Sequence, residues 1–126
     1  MPRFVIQQHR VDQSIHWDLM LENQESLATW QVPVHPSDWP EKKARCRHIF
    51  DHRLIYLSYQ GPLSDNRGDV QIVASGQYLP LETTETRWQV LLRSDKINGQ
   101  LVLQHFRDDQ WQMQFSGKCL LSPDPT

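Results

Sequence analysis

Between residues 15 and 22 the chain alternates between apolar and polar side chains, and this alternation strongly limits the folds available to it. In a β-strand, residues two apart point to the same face of the sheet. The pattern therefore predicts a half-buried strand with Trp17 and Leu19 turned towards a core. The opposite face then carries His16 and Asp18 side by side.

Short segments with strand character recur along most of the chain. They lie at residues 3–9, 15–22, 27–32, 45–50, 70–74, 77–81, 87–93, 99–106 and 110–115. We expect a turn at 23–26, a hairpin turn at Asn98 and Gly99, and one short helix within 36–44. This pattern predicts a mostly-β fold, an antiparallel β-barrel or sandwich of about eight strands with one short helix.

Length and composition are those of a globular chain. We expect one domain over residues 1–121, followed by a flexible C-terminal tail at 122–126. The formal net charge of -2 gives no global basic field, so a nucleic-acid partner would need a local patch. Cys46 and Cys119 stand outside any metal-binding spacing and are expected as free thiols. Without a signal-peptide pattern or a membrane-spanning apolar run, we expect a cytoplasmic monomer that does not contact membranes.

A candidate metal site involves three residues of the N-terminal region. His16 and Asp18 share a strand face, and His9 lies seven residues upstream across a short polar connection. Two imidazoles and a carboxylate with open positions suit a catalytic divalent ion better than a closed structural site. The alternative is a surface hydrogen-bonded pair of His16 and Asp18 without an ion.

A second chemical cluster follows the proline-rich middle of the chain. Asp51 precedes His52, and Tyr56 comes four residues later. An imidazole and a phenol turned towards the metal site would bind an anionic group or stabilise charge on a phosphoryl oxygen. In the alternative interpretation, His52 caps a turn and Tyr56 is an amphipathic residue of the barrel wall.

These motifs resemble a known family when taken in order. F-V-I-Q-Q-H at 4–9 and H-W-D-L-M-L-E at 16–22 are similar to F-V-x-Q-x-H and H-[YF]-D-[FL]-R-L-E of the 3′-phosphoesterase domain of bacterial DNA ligase D. T-W-Q-V-P at 29–33 resembles its S-W-A-V-P, and D-H-R-L-I-Y at 51–56 resembles its D-H-P-L-D-Y. I-N-G-Q-L-V-L at 97–103 resembles its L-K-G-x-[WF]-x-L, so the resemblance spans nearly the whole chain.

The resemblance implies a small β-barrel with a manganese-dependent site that repairs nucleic-acid ends. Such a site removes a 3′-phosphate or a 3′-terminal ribonucleotide from DNA and leaves a 3′-hydroxyl for a separate polymerase or ligase. Carried over to this sequence, the metal ligands are His9, His16 and Asp18, and the residues at the scissile phosphate are His52 and Tyr56. Gln7 would orient the first ligand. Mn²⁺ is the implied ion, with Zn²⁺ or Co²⁺ as alternatives.

Three departures from the family pattern affect the expected activity. Met20, Val34 and Ala44 stand at or next to positions where the family has phosphate-binding cations. Arg67 and Arg45 are the candidate replacements. Because cations at a phosphoryl group contribute much of the rate, their loss leaves a second hypothesis, a weakened or inactive module that binds DNA ends or proteins. A third is a small-ligand β-barrel without nucleic-acid binding.

Overall fold

The structure is a computed structural model that describes residues 1–123 and consists mainly of antiparallel β-strands. The strands are β1 (Arg3–Val11), β2 (Ser14–Asn23), β3 (Ser26–Val32), β4 (Ala44–His52), β5 (Gly61–Pro62), β6 (Asp69–Thr83), β7 (Arg87–Arg93), β8 (Ile97–Arg107) and β9 (Gln110–Cys119). Two 3₁₀ helices lie at Pro36–Asp38 and Leu54–Leu57. Of the predicted tail 122–126, residues 124–126 lie outside the described part, and residues 122–123 have no regular structure.

Eight of the strands close into a ring. Neighbouring strands pair in the order β1-β2-β3-β4-β9-β8-β7-β6, and β6 pairs again with β1. The two-residue strand β5 adds to β6 outside this ring. The predicted antiparallel barrel of about eight strands is therefore confirmed. Closure leaves no free edge in the ring, which protects a small sheet from edge-to-edge association.

The inside of the ring is the main core. Trp30 is fully buried there, with its ring 5.2 Å from that of Trp88 and 5.6 Å from that of Trp111 between centroids. Trp17 and Leu19 point to the same core, as the alternation predicts. Each fully buried apolar side chain of this size contributes roughly 2–3 kcal/mol. The opposite face of β1 and β2 is thus left free to carry polar groups.

A smaller apolar cluster lies outside the ring. Val5, Met20 and Leu27 are buried there beneath Leu54 and Tyr56. These covering residues belong to segment 53–60, called the cover segment below. The cover segment packs over one end of the outer face of β1–β3. One part of this face therefore carries the apolar cluster, and the other part carries the polar side chains.

Three local predictions differ from the structure. The helix expected within 36–44 is reduced to one 3₁₀ helix, Pro36–Asp38, because Pro40 cannot donate a helical hydrogen bond. The two strands expected at 70–74 and 77–81 are one strand, β6, since Gly76 lacks the Cβ that would meet the Arg93 carbonyl oxygen at 2.2 Å. Asn98 lies within β8, and the hairpin bend is at residues 94–96.

No helix among residues 1–123 has the length and apolar character needed to cross a bilayer.

Raising the pH above about 9 is expected to destabilise the barrel. Burial raises the pKa of the Cys46 thiol from 9.0 to about 12, and burial together with the Glu22 charge raises the pKa of Tyr78 from 10.0 to about 12. Because each pKa is higher in the folded chain, the stabilisation is complete below the unfolded pKa and is lost as the pH rises towards the folded one. Each group contributes a slope of up to ~1.4 kcal/mol per pH unit.

Denaturant unfolding of the wild type and of Cys46→Ala over this pH range measures the effect. The variant is expected to lose less stability per pH unit, because the Cys46 contribution is gone and those of Tyr78 and of Cys119, whose pKa burial also raises, remain. Equal slopes for the two proteins would contradict the assignment to Cys46.

Candidate metal centre

The register of β1 and β2 places four polar side chains together on the outer face. His9 is directly opposite His16, and Gln7 is directly opposite Asp18. Cross-strand partners point to the same face of a sheet, so the four form two neighbouring rows. The two-residue turn at Asp12 and Gln13, with Asp12 at φ 55°, sets this register.

His9, His16 and Asp18 converge on one point. His9 Nδ1 lies 3.2 Å from His16 Nε2 and 3.6 Å from Asp18 Oδ2, and His16 Nε2 lies 3.1 Å from Asp18 Oδ1. One possible ligand atom from each residue lies within 4.8 Å of the others. Asp18 is buried at 3% exposure, and the two imidazoles are half-buried. The structure thus brings together the three residues predicted as ligands.

The backbone of Arg67 fixes the orientation of the His9 ring. His9 Nε2 lies 2.7 Å from the Arg67 carbonyl oxygen. A carbonyl only accepts hydrogen bonds, so Nε2 carries the proton in neutral His9 and Nδ1 presents a lone pair. That lone pair faces His16 and Asp18. A second hydrogen bond of this kind commonly sets the tautomer of a metal-binding histidine.

The donor set fits a divalent cation. The close Asp18 carboxylate raises the pKa of His9 against the opposing effect of burial. Burial alone would raise the pKa of Asp18, but the imidazoles of His16 and His9 lower it below its usual value. Asp18 Oδ1 is buried and accepts no well-formed hydrogen bond among the described residues. Positive charge is therefore favoured at this point, and a bound cation would supply it in place of protons.

Gly68→Ala is expected to disturb the loop that carries the Arg67 carbonyl. Gly68 has φ +83°, and a Cβ there would lie 1.9 Å from the Arg10 carbonyl oxygen. The strain costs about 1–3 kcal/mol. Movement of the carbonyl away from His9 is expected to weaken Mn²⁺ binding by about tenfold, as measured by titration calorimetry.

Asn66→Gly is the matched control, since it relaxes a positive φ of 57° in the same loop without adding an atom. It is expected to retain the Mn²⁺ affinity. Wild-type affinity in Gly68→Ala would show that this loop does not orient His9.

Gln7 holds the cover segment in place. Its side chain is buried at 1% exposure, and Nε2 donates to the carbonyl oxygens of Tyr56 at 2.9 Å and Tyr59 at 3.0 Å. Within residues 1–123 these are its only side-chain hydrogen bonds, and the orientation of the first ligand by Gln7 stays a prediction. Gln7 links the metal centre to the segment that carries Tyr56.

His52 and Tyr56 lie beside the metal centre. Both line a cavity of about 670 Å³ to which His9 and Asp18 also contribute. The centroids of their rings are 5.6 Å apart. His52 Nδ1 lies 3.2 Å from the Phe50 carbonyl oxygen, which leaves Nε2 as the ring nitrogen available to a ligand. The structure therefore places the two residues predicted at the phosphate in the same cavity as two of the three predicted ligands.

The two arginines predicted as phosphate-binding residues differ in position. Arg67 lines the cavity, but its guanidinium donates to the carbonyl and hydroxyl oxygens of Ser64. Arg45 lines a neighbouring groove with His16, and its guanidinium lies over the Phe106 ring at 4.2 Å. Neither guanidinium reaches the centre in this arrangement.

Cations that the sequence analysis did not select line the same cavity. Arg47 contributes from β4 and is paired with Asp109 at 3.0 Å, and Arg53 contributes from the start of the cover segment. Met20 also lines the cavity, but it is fully buried beneath the cover segment. Arg53 stands where the D-H-P-L-D-Y motif has proline, and this departure was the available clue.

The fold and the site together define a class of protein, a small closed β-barrel with a two-imidazole, one-carboxylate centre beside an arginine-lined cavity. Residues 7–121 match the family of the DNA ligase D 3′-phosphoesterase domain, and the chain belongs to this family.

Proteins named as multifunctional non-homologous end joining protein LigD are among its relatives. The one from Mycolicibacterium smegmatis is 27% identical over 126 residues, which covers 86% of this chain and 16% of the relative. The one from Pseudomonas aeruginosa is 30% identical over 83 residues, covering 64% of this chain and 10% of the relative. The one from Mycobacterium tuberculosis, named as a DNA repair protein, is 29% identical over 115 residues, which covers 86% of this chain and 15% of the relative. The chain thus corresponds to a small part of each relative.

Proposed function

We propose that this chain is a metal-dependent phosphoesterase that removes a 3′-phosphate or a 3′-terminal ribonucleotide from DNA ends during repair. The observation that carries the proposal is the convergence of His9, His16 and Asp18 beside a cavity lined by His52 and Tyr56. Membership of the 3′-phosphoesterase domain family and relatives named for end joining support it. Separate ligase or polymerase proteins would then use the 3′-hydroxyl product.

His9 Nδ1, His16 Nε2 and an Asp18 oxygen would hold the ion, which we propose to be Mn²⁺, with Zn²⁺ or Co²⁺ as alternatives. A bound divalent ion polarises a phosphoryl oxygen and lowers the pKa of a bound water. The protein's own contribution is to neutralise and position the phosphate. His52 and Tyr56 line the same cavity, and His52 Nε2 and the Tyr56 hydroxyl would hold the non-bridging oxygens of the phosphate.

The direct test uses a primer with a 5′ label and a 3′-phosphate. With Mn²⁺ present, the wild type is expected to convert it to the 3′-hydroxyl form, and His16→Ala is expected to abolish the conversion. The same assay with a 3′-terminal ribonucleotide tests the second activity. A protein that binds Mn²⁺ and turns over neither end would contradict the proposal.

One observation favours a second candidate, a DNA-end-binding module with weakened catalysis. Met20 is fully buried beneath the cover segment, and the guanidiniums of Arg47 and Arg67 are already engaged by other groups. Affinity for DNA ends that survives removal of the metal, without release of phosphate, would favour this module over the enzyme.

The affinity for Mn²⁺ is expected to fall as the pH is lowered. The Asp18 carboxylate raises the pKa of His9, so a proton is held on His9 at pH values where a free imidazole would be neutral. The proton and the ion compete for Nδ1, so affinity rises with pH and levels off above the raised pKa. Calorimetric titrations between about pH 5 and pH 8 measure this, and a pH-independent affinity would exclude His9 as a ligand.

A further inference from the structure

Two groups at the cavity wall are left unused by the site described above. They are the ring of Phe50 at the end of β4 and the guanidinium of Arg53 at the start of the cover segment. Both side chains line the cavity, and both residues are exposed. Phe50 and Arg53 flank His52 in the sequence and line the same cavity. A phosphate held at His52 would therefore share this cavity with an aromatic ring and a cation.

Arg53 differs from the other two arginines of this cavity. Arg47 is paired with Asp109, and the guanidinium of Arg67 is bound to Ser64. The guanidinium of Arg53 has no ion pair and no hydrogen bond within residues 1–123. A free guanidinium presents a planar fork of donors that matches two phosphate oxygens. Of the three, Arg53 is therefore the one ready to bind a phosphate without first breaking a contact.

Phe50 presents an open aromatic surface. It is 77% exposed, the highest value among the exposed large hydrophobic residues. Its ring is nearly parallel to that of His52, with an interplanar angle of 5° and centroids 5.2 Å apart. A single exposed apolar residue is ordinary on a protein surface. Here the ring is stacked on His52 and lines the same cavity as a free guanidinium, and this combination suits a nucleotide.

We propose, on the basis of the function given above, that Phe50 and Arg53 form a subsite for the terminal nucleotide of a single-stranded 3′ end. The base stacks on Phe50, and Arg53 binds its phosphate. Stacking contacts the face of a base and leaves its pairing edges unread, so recognition is independent of sequence. The net charge of -2 gives no global basic field, and the described residues of the cavity include one free guanidinium. We therefore expect recognition at the end of the strand rather than along a duplex backbone.

Fluorescence anisotropy tests the subsite in buffer with a chelator, so that binding is separated from catalysis. The probe is a short single-stranded DNA with a 5′ fluorophore and a 3′-phosphate. Phe50→Ala is expected to weaken binding by about tenfold, and Phe50→Trp is expected to retain it. Arg53→Gln is expected to weaken binding of the 3′-phosphate end more than that of a matched 3′-hydroxyl end.

An abasic 3′-terminal nucleotide isolates the stacking contact. On this probe Phe50→Ala and the wild type are expected to bind equally, because there is no base to stack. Leu81→Ala and Arg93→Gln are the matched controls. They alter an exposed apolar residue and an exposed arginine that do not line the cavity, and both are expected to bind as the wild type does.

The result separates this inference from the proposed function. Base-dependent binding through Phe50 supports the subsite even if no phosphate is released in the Mn²⁺ assay. Wild-type affinity in Phe50→Ala, or the same loss on the abasic probe, would overturn the subsite even if hydrolysis occurs. Absence of binding by the wild type at low salt would also overturn it.

Discussion

Asp18→Asn is expected to abolish Mn²⁺ binding and to lower the rate of 3′-phosphate removal by at least 100-fold. The Asp18 carboxylate is the one anionic group of the centre and lies 3.1 Å from His16 Nε2 and 3.6 Å from His9 Nδ1. Asparagine keeps the shape but removes the charge that attracts a cation. Metal-ion stabilisation of a phosphoryl group is worth several kcal/mol, and each 1.4 kcal/mol changes the rate by about tenfold. Calorimetry and the primer assay measure both effects.

The control is Asp12→Asn, at the turn between β1 and β2. Asp12 is exposed and has φ 55°, a conformation that asparagine also adopts readily. Asp12→Asn is expected to change neither the affinity for Mn²⁺ nor the rate of 3′-phosphate removal. Retention of Mn²⁺ affinity in Asp18→Asn would show that the Asp18 carboxylate is not a metal ligand.

Gln7→Leu is expected to detach the cover segment from the barrel. Its amide supplies the hydrogen bonds to the Tyr56 and Tyr59 carbonyl oxygens, and leucine leaves both unpaired. Loss of partners for such half-buried groups costs about 1–3 kcal/mol each, so we expect a total loss of roughly 2–6 kcal/mol in the free energy of unfolding. Displacement of Tyr56 is expected to lower kcat by up to ~100-fold.

Gln71→Leu is the matched control, because Gln71 is an exposed glutamine on β6. It is expected to stay within ~0.5 kcal/mol of the wild type. Gln7→Leu is expected to bind Mn²⁺ with unchanged stoichiometry, since the three ligands remain. If kcat of Gln7→Leu fell only in proportion to a loss of bound Mn²⁺, Gln7 would position the metal ligands rather than Tyr56.

The two faces of β2 could be predicted from the sequence because a strand has a fixed period of two. The alternation assigns Trp17 to the core and Asp18 to the opposite face, and the structure has both there. The pairing of His9 with His16 follows from their equal distance from the turn at residues 12 and 13. The predicted strands 3–9 and 15–22 leave residues 10–14 outside the sheet, whereas β1 and β2 extend to Val11 and Ser14. The sequence therefore predicted that the two histidines lie close together but not that they are paired.

The support around the centre could not be predicted in this way. The Arg67 carbonyl that orients His9 is a backbone atom, and backbone atoms carry no residue-type pattern. The partners of Gln7 are 49 and 52 residues away, and their approach depends on closure of the whole ring. Arg53 stands where the family pattern has proline, so the pattern gives this residue no role. Tertiary placement, rather than residue identity, decided these three features.

The central claim is that His9, His16 and Asp18 hold one divalent ion, and histidine NMR during titration with Mn²⁺ and Zn²⁺ tests it most directly. Of the six histidines, we expect His9 and His16 to respond first, at Nδ1 and Nε2 respectively, followed by the nearby His52. With diamagnetic Zn²⁺, His35 and His105, which do not line the cavity, should keep their chemical shifts at equal metal and protein concentrations. Shifts centred on His35 and His105, or none at His9 and His16, would contradict the proposed centre.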